Sequence, residues 1–338
     1  MDPVTPIPLE AIGGARGRIA GAAIRTPLIR LDQPSVDSGR RTEPGERTAG
    51  IWLKLECLQP IGSFKIRGAA NAIALADPEE LAGGVYTASA GNMAQGVVLA
   101  AQRLGIACRV IVPDTAPAAK LHAIERLGGT LVSLPFDEWW RAIREHGHPD
   151  ESGFFIHPVS APAVIAGNGT IGLEILEDLP EVDTVIVPYG GGGLSCGIAS
   201  AIRAKTDTVR IFASEVETAA PLAASLEAGR PVSVERRPTF VDGIGGGSVL
   251  EEMWPLASSL LDGSLVTSLE EICDAIRTLA GRTHVIAEGA GGSALAAALE
   301  YQCREDPEVE QRIVAVISGG NIDTHVLRAI LAGENPDS

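Results

Sequence analysis

Short, unbroken apolar runs rich in Val and Ile alternate along this chain with longer Ala-rich stretches of helical period, and that alternation leaves few folds open. Ile51–Cys57, Gly84–Ala88, Cys108–Val112, Thr184–Val187, Arg210–Ser214 and Ile313–Ile317 read as strands. Phe64–Ala76, Met93–Leu104, Ala118–Leu127, Gly197–Ala204 and Ala290–Glu300 read as helices, the first stopped by Asp77-Pro78 and the third by Gly128-Gly129. Strands that are apolar at nearly every position are buried on both faces, so the pattern predicts βαβ units and mostly parallel sheets flanked by helices. The chain has 338 residues, more than one core usually organises, and two lobes are expected.

Charge and composition exclude several classes. A formal net charge of −16 offers no electrostatic footprint for nucleic acid. No run of about 18 apolar residues is present, and MDPVTPIPLEAI lacks the basic and apolar regions of a signal peptide, so a cytoplasmic protein with no membrane partner is expected. The five cysteines are scattered and show no CxxC spacing, which points to reduced, mainly buried thiols. The polar segment from Gln33 to Gly50 reads as an exposed loop. So does EHGHPDESG at 145–153, which holds His146 and His148. The sequence assembles no further metal ligands around these two histidines, and no metal site is assigned.

The residues that carry chemistry stand at helix starts. Lys65, in GSFKIRGA, opens a predicted helix, where the partial positive charge of the macrodipole disfavours an ammonium. A lysine escapes that cost by losing its charge, as when it condenses with an aldehyde cofactor; otherwise it reaches solvent from the first turn. Three glycine-containing loops follow predicted strands. Gly190-Gly191-Gly192-Gly193-Leu194 can present backbone N–H groups to an anion, unless it is only a tight turn. It lacks the lysine of a nucleotide P-loop and fits GxGxxG only degenerately, so a single small phosphate suits it better than a dinucleotide. Ser89-Ala90-Gly91-Asn92 could hold a carboxylate with free N–H groups, or could be a helix cap. Ser318-Gly319-Gly320-Asn321 offers a neutral hydroxyl at the end of the last strand.

Taken together, GSFKIRGA, SAGNMAQG, PYGGGGLSCG, EGAGGSALAAAL and ISGGNID resemble, in order and separation, the fold-type II pyridoxal-phosphate enzymes, in particular the threonine/serine dehydratase and serine racemase group. IAGNGTIGLEI and FVDGIG add two further stretches, and the resemblance runs from about Arg25 to Arg328. It implies an α/β, tryptophan synthase β-like fold of two lobes: a large cofactor-binding domain from 1–83 and 161–338, and a small, mobile domain from 84–160. It implies pyridoxal 5'-phosphate held covalently by Lys65, with Phe64 near the pyridine ring and Asn92 bonded to the ring's 3' oxygen. Gly190, Gly191, Gly192, Gly193 and Leu194 would cradle the phosphate, and Ser318 would face the pyridine nitrogen. Ser63, Ser89, Ala90, Gly91, Asn92 and Met93 would lie around the amino-acid substrate. The freed Lys65 amine would remove the α-proton of a β-hydroxy amino acid, giving a 2-oxo acid and ammonia. A homodimer or larger homo-oligomer is also implied.

The chain departs from that pattern at informative places. Ala90 occupies the position where racemases of the group carry a serine that acts as the second acid/base, and alanine has no proton to give, so racemisation loses its second base unless Ser89 takes that part. Met93 replaces the usual histidine and Ile61 a common threonine, which is either a packing change or a pocket adjusted for a different β-substituent. Glu215 survives from the racemases' metal-binding stretch, while Pro221 aligns with its second carboxylate, so divalent activation there is not expected. Glu288, in EGAGG, either reaches the cleft or serves as a charge at a helix start. The chain ends soon after Gly333, and no appended regulatory domain is expected. A β-replacement synthase or a racemase of the same fold, and a non-catalytic ligand-binding relative, remain the alternatives.

Overall fold

The computed structural model describes residues 2–31, 49–304 and 310–336, so the expected loop at 33–50 lies outside it except for its last two residues. Its strands are β1 (Leu28–Arg30), β2 (Gly50–Lys54), β3 (Val85–Ala88), β4 (Cys108–Pro113), β5 (Thr130–Leu134), β6 (Phe154–Phe155), β7 (Thr184–Pro188), β8 (Arg210–Val216), β9 (Gly263–Thr267) and β10 (Arg312–Val316). They form a six-stranded sheet in the order β1-β2-β10-β7-β8-β9 and a four-stranded sheet in the order β5-β4-β3-β6. Every pairing is parallel except β1 with β2.

Burial on both faces explains the unbroken apolar runs. Val185 and Val187 of β7, with Val314 and Val316 of β10, join one core cluster, while the intervening Ile186 and Ala315 join the cluster on the opposite face. A third cluster packs the helices Lys65–Leu75 and Asn92–Arg103 with Val85, Val110 and Val112 of the four-stranded sheet.

All the strands and helices read from the pattern are present, within four residues at each end. Among the strands the largest difference is at β2, which stops at Lys54 because Glu56–Leu58 turns as a 3-10 helix and the Cys57 N–H reaches Ile317 O at 3.0 Å. The helix Pro162–Asp178 carries three glycines that local propensity disfavours. Packing explains them: a Cβ at Gly167 would stand 2.4 Å from Arg67 O, and one at Gly172 would stand 2.8 Å from Ile198 O. Four cysteines are buried and Cys303 is exposed, all as free thiols.

A buried ionic network braces the helix that begins at Lys65. Arg67 donates to both oxygens of Glu56, each at 2.8 Å, and to Glu174 at 2.7 Å. Lys54 adds a 2.6 Å bond to Glu174, and Thr26 Oγ1 donates to Glu56 at 2.5 Å. Two cations thus meet two carboxylates, with every partner below one-tenth exposed. No helix among the described residues is long and apolar enough to cross a membrane.

Candidate active site

The loops that follow β3, β7 and β10 open onto one cavity of about 810 Å³. Phe64, Lys65, Ser89 to Met93, Gly190 to Leu194, Glu288 and Ser318 all line it. Ser63 does not. It is fully buried behind the wall and bridges Gly319.

Lys65 is the first residue of its helix, and its Nζ donates to Pro158 O at 3.0 Å. Burial is the larger influence on its amine and lowers the pKa from 10.5 to about 8, against the opposing pull of Glu288. The location at a helix start and the desolvated cavity both favour the neutral amine, which the sequence reading anticipated.

Opposite Lys65, the glycine loop leads from β7 into the helix Ser195–Arg203. Gly192 O accepts from Cys196 N at 2.9 Å and from Ser195 Oγ at 3.2 Å, and Gly193 O accepts from Asn168 Nδ2 at 3.1 Å. With the carbonyls so fixed, the N–H groups from Gly191 to Leu194 find no acceptor among the described residues. Glycine is required by crowding as well as by φ. A Cβ at Gly191 would stand 2.6 Å from the Val159 side chain, one at Gly193 would stand 2.6 Å from Val159 O, and Gly192 has φ +96°.

At the start of the helix Asn92–Arg103, the Asn92 amide is fixed at both ends. Its Nδ2 donates to the two Glu288 oxygens at 2.9 and 3.1 Å, and its Oδ1 accepts from Asn321 Nδ2 at 2.7 Å. The Glu288 carboxylate thus reaches the cleft, and its described side-chain bonds go to Asn92 rather than to the N–H groups of the helix that follows. Burial pushes its carboxyl up from 4.5 to about 7, with Asn92 opposing. Gly319 lets the Glu288 carboxylate lie close: a Cβ there would stand 2.4 Å from Glu288 Oε1 and displace that side chain from its place beside Asn92.

Met93 is 2 % exposed and belongs to the same apolar cluster as Ile61, so the two departures from the family pattern share one packing environment. Glu215 accepts from the N–H groups of Leu222 and Ala223, both at 2.8 Å, and from Ser264 Oγ at 2.7 Å, at the start of the helix Pro221–Ala228. The expectation of a wholly solvated loop at 145–153 is corrected. His146 is half-buried and stacks on His157 with ring centroids 4.1 Å apart.

Sequence reasoning missed Pro158, Val159 and Asn321 as site residues. Pro158 and Val159 act through backbone carbonyls and bulk, which any residue type could supply, so no motif marks them. Asn321 stood in a quoted motif and had an amide as its signal.

An amine of lowered pKa, a cradle of free N–H groups at a helix start, a fixed amide and a neutral hydroxyl, all on one cavity, suit an aldehyde cofactor that carries one phosphate. The residues present therefore fit pyridoxal 5'-phosphate, and the site is that of an enzyme using this cofactor. The family model for "Pyridoxal-phosphate dependent enzyme" matches residues 19–319, and the chain belongs to that family. It is 42 % identical over 331 residues to the L-threonine ammonia-lyase of Thermotoga maritima, covering 96 % of this chain and 78 % of that protein. It is 34 % identical over 325 residues to the serine racemase of Oryza sativa subsp. indica, covering 94 % and 92 %. Among solved structures, maize serine racemase superposes with a TM-score of 0.85 at 32 % identity, covering 97 % of this chain and 98 % of that one.

Proposed function

We propose that this chain is a pyridoxal-phosphate-dependent ammonia-lyase acting on β-hydroxy amino acids of the threonine/serine type. The observation that supports the reading is a cavity lined by a Lys65 amine with its pKa lowered to about 8 and by Ala90 at the position where racemisation would use a second proton-transfer group, which leaves Ser89 as the one hydroxyl of that loop. The cofactor, when bound, supplies the electron-withdrawing ring that acidifies the substrate Cα–H. Phe64 would pack against that ring, Asn92 would donate to its oxygen, and Ser318 would meet its nitrogen with a neutral hydroxyl. Gly190 to Leu194 hold the phosphate through N–H groups.

Lys65 would hold the cofactor aldehyde at rest, and its amine, once freed, would take the Cα proton. Ser89, Gly91, Asn92 and Met93 would hold the substrate carboxylate at the helix start, with Ala90 in the wall beside it and Ser63 buried behind. Departure of the β-hydroxyl as water and subsequent hydrolysis give the 2-oxo acid and ammonia. Residues 84–160 form a small lobe that closes on the large lobe of 1–83 and 161–338 and excludes water during elimination. A cytoplasmic homodimer or larger homo-oligomer completes the reading.

The test is borohydride reduction of the cofactor-loaded protein followed by peptide mapping, together with product assay. The adduct is expected on Lys65, and Lys65→Ala is expected to lose 2-oxo acid release. An adduct on another lysine, or D-serine formed from L-serine faster than pyruvate, overturns the proposal.

A further inference from the structure

Three of the chain's six phenylalanines and one of its four tryptophans line the cavity that holds Lys65: Phe64, Phe136, Trp139 and Phe240. Phe64 has its place beside the cofactor ring; the other three rings have no part in holding the cofactor. Phe136 and Trp139 stand three residues apart on the helix Phe136–Arg144, hence on one face of it, with ring centroids 5.4 Å apart. Trp140 extends the cluster, its ring 6.0 Å from that of Trp139. Phe136 is 47 % exposed, which leaves an apolar ring wet at the edge of a cavity. The Trp139 Nε1 is buried with no acceptor among the described residues, so this indole contributes its ring and not a hydrogen bond.

We propose that Phe136 and Trp139 form the subsite for the substrate's β-substituent and that this substituent is aromatic, so that the substrates are β-aryl-β-hydroxy amino acids, of which phenylserine is the simplest. The inference rests on the elimination proposed above and names the substrate class of that same site.

The sheet places the cluster within reach of the reacting carbon. β3, β4 and β5 are parallel neighbours, with Ala88 paired to Ile111 and Pro113 to Leu134, so their C-terminal ends share one edge. The loop of Ser89 to Met93 leaves β3 at that edge, and Phe136 stands two residues past the end of β5. Two strand spacings separate them, roughly 9–10 Å. A phenyl group on the β-carbon, meeting the Phe136 and Trp139 rings, closes that gap; the methyl of threonine does not. Trp139 also packs on the apolar cluster that contains Ala88, the residue before Ser89. On the near side Ala90 and Met93 line the cavity where the family pattern carries serine or histidine, and both changes remove polar atoms from the wall. Small-molecule sites measure roughly 300–1,000 Å³, and a cavity of about 810 Å³ accommodates a substrate ring beside the cofactor. Charge does not select a β-carboxylate instead. Lys120, Arg126 and Arg236 line the cavity, but so do Asp242, Glu288 and Asp323, and Lys120 is paired with Asp242.

The experiment takes two readouts from the cofactor-loaded, full-length protein. The first is binding: L-phenylalanine and L-alanine, which have no β-hydroxyl to eliminate, are titrated against the absorption of the lysine-bound cofactor. Phenylalanine is expected to bind at least about tenfold more tightly, as burial of a phenyl ring contributes. Phe136→Ala and Trp139→Leu are each expected to reduce that ratio about fivefold. The second is turnover: kcat/KM for phenylserine is expected to exceed the values for serine, threonine and hydroxyaspartate, and its ratio to the serine value is expected to fall about fivefold in the same variants. Cofactor content and thermal unfolding check that the variants fold. Phenylalanine bound no more tightly than alanine, a preference for hydroxyaspartate, or unaltered ratios in folded variants overturns the subsite. Tight, Phe136-dependent binding of phenylalanine with no 2-oxo acid from any β-hydroxy amino acid would sustain the subsite and overturn the elimination instead.

Discussion

Adding one methyl group at Gly193 tests the phosphate cradle with little else disturbed. The new Cβ would stand 2.6 Å from Val159 O, so the contact must open by about 0.4 Å to reach even 3.0 Å. Val159 is held from behind by its N–H bond to His157, and Asn168 holds the Gly193 carbonyl, so neither side yields freely. Overpacking of this kind costs about 1–3 kcal/mol. If the displaced loop carries that cost into cofactor binding, the Kd for pyridoxal 5'-phosphate rises about 5- to 150-fold. The assay is titration of cofactor into the cofactor-free protein, with thermal unfolding of the same sample in parallel. Gly190→Ala serves as the graded comparison, because its Cβ would meet Gly243 O at a milder 3.1 Å, and its Kd is expected to fall between the two. A Gly193→Ala protein with Kd within about twofold of native would refute the assignment of this loop to the phosphate.

Other consequences follow from the same geometry. Arg67→Met leaves Glu56 and Glu174 buried with one cation between them and is expected to lower the unfolding free energy by about 3–5 kcal/mol, read from urea unfolding. In the cofactor-free protein, the raised Glu288 pKa means the folded state keeps a proton that the unfolded state has released between pH 4.5 and about 7, so stability falls as pH rises through that window. Lys65 acts in the opposite sense: its lowered pKa makes stability rise with pH between about 8 and 10.5. Urea midpoints across pH are expected to lose the first slope in Glu288→Gln and the second in Lys65→Met; unchanged slopes would contradict the two assignments. Met93→His and Ile61→Thr, tested singly and together, are expected to show a coupling of about 0.5 kcal/mol or more because both side chains lie in one cluster, and strict additivity would count against that shared environment.

The parallel-sheet architecture was legible because strands buried on both faces leave continuous apolar runs, and β7 and β10 show that signature plainly. The sites of the glycine loop, SAGN loop and Ser318 were legible for a related reason: ligands bind where strands end, and each motif follows a strand. The helix Pro162–Asp178 was missed because its glycines serve close packing against Arg67 and Ile198, a tertiary purpose that local propensity cannot express. Short β6 and the exposed positions of β5 left no apolar run to find. Long-range partners were equally hidden. Nothing near His146 in sequence announces Glu252, 106 positions away, and nothing in HPVS announces that its carbonyl meets Lys65.

The central claim, elimination from a β-hydroxy amino acid, is tested most directly by measuring 2-oxo acid and ammonia together. The panel is L- and D-serine, both threonine diastereomers, hydroxyaspartate and phenylserine, each given to the cofactor-loaded protein. Equimolar 2-oxo acid and ammonia from L-threonine or L-serine, abolished in Lys65→Ala, is the predicted result. No release from any member of the panel, with the absorption of the lysine-bound cofactor intact, would contradict it.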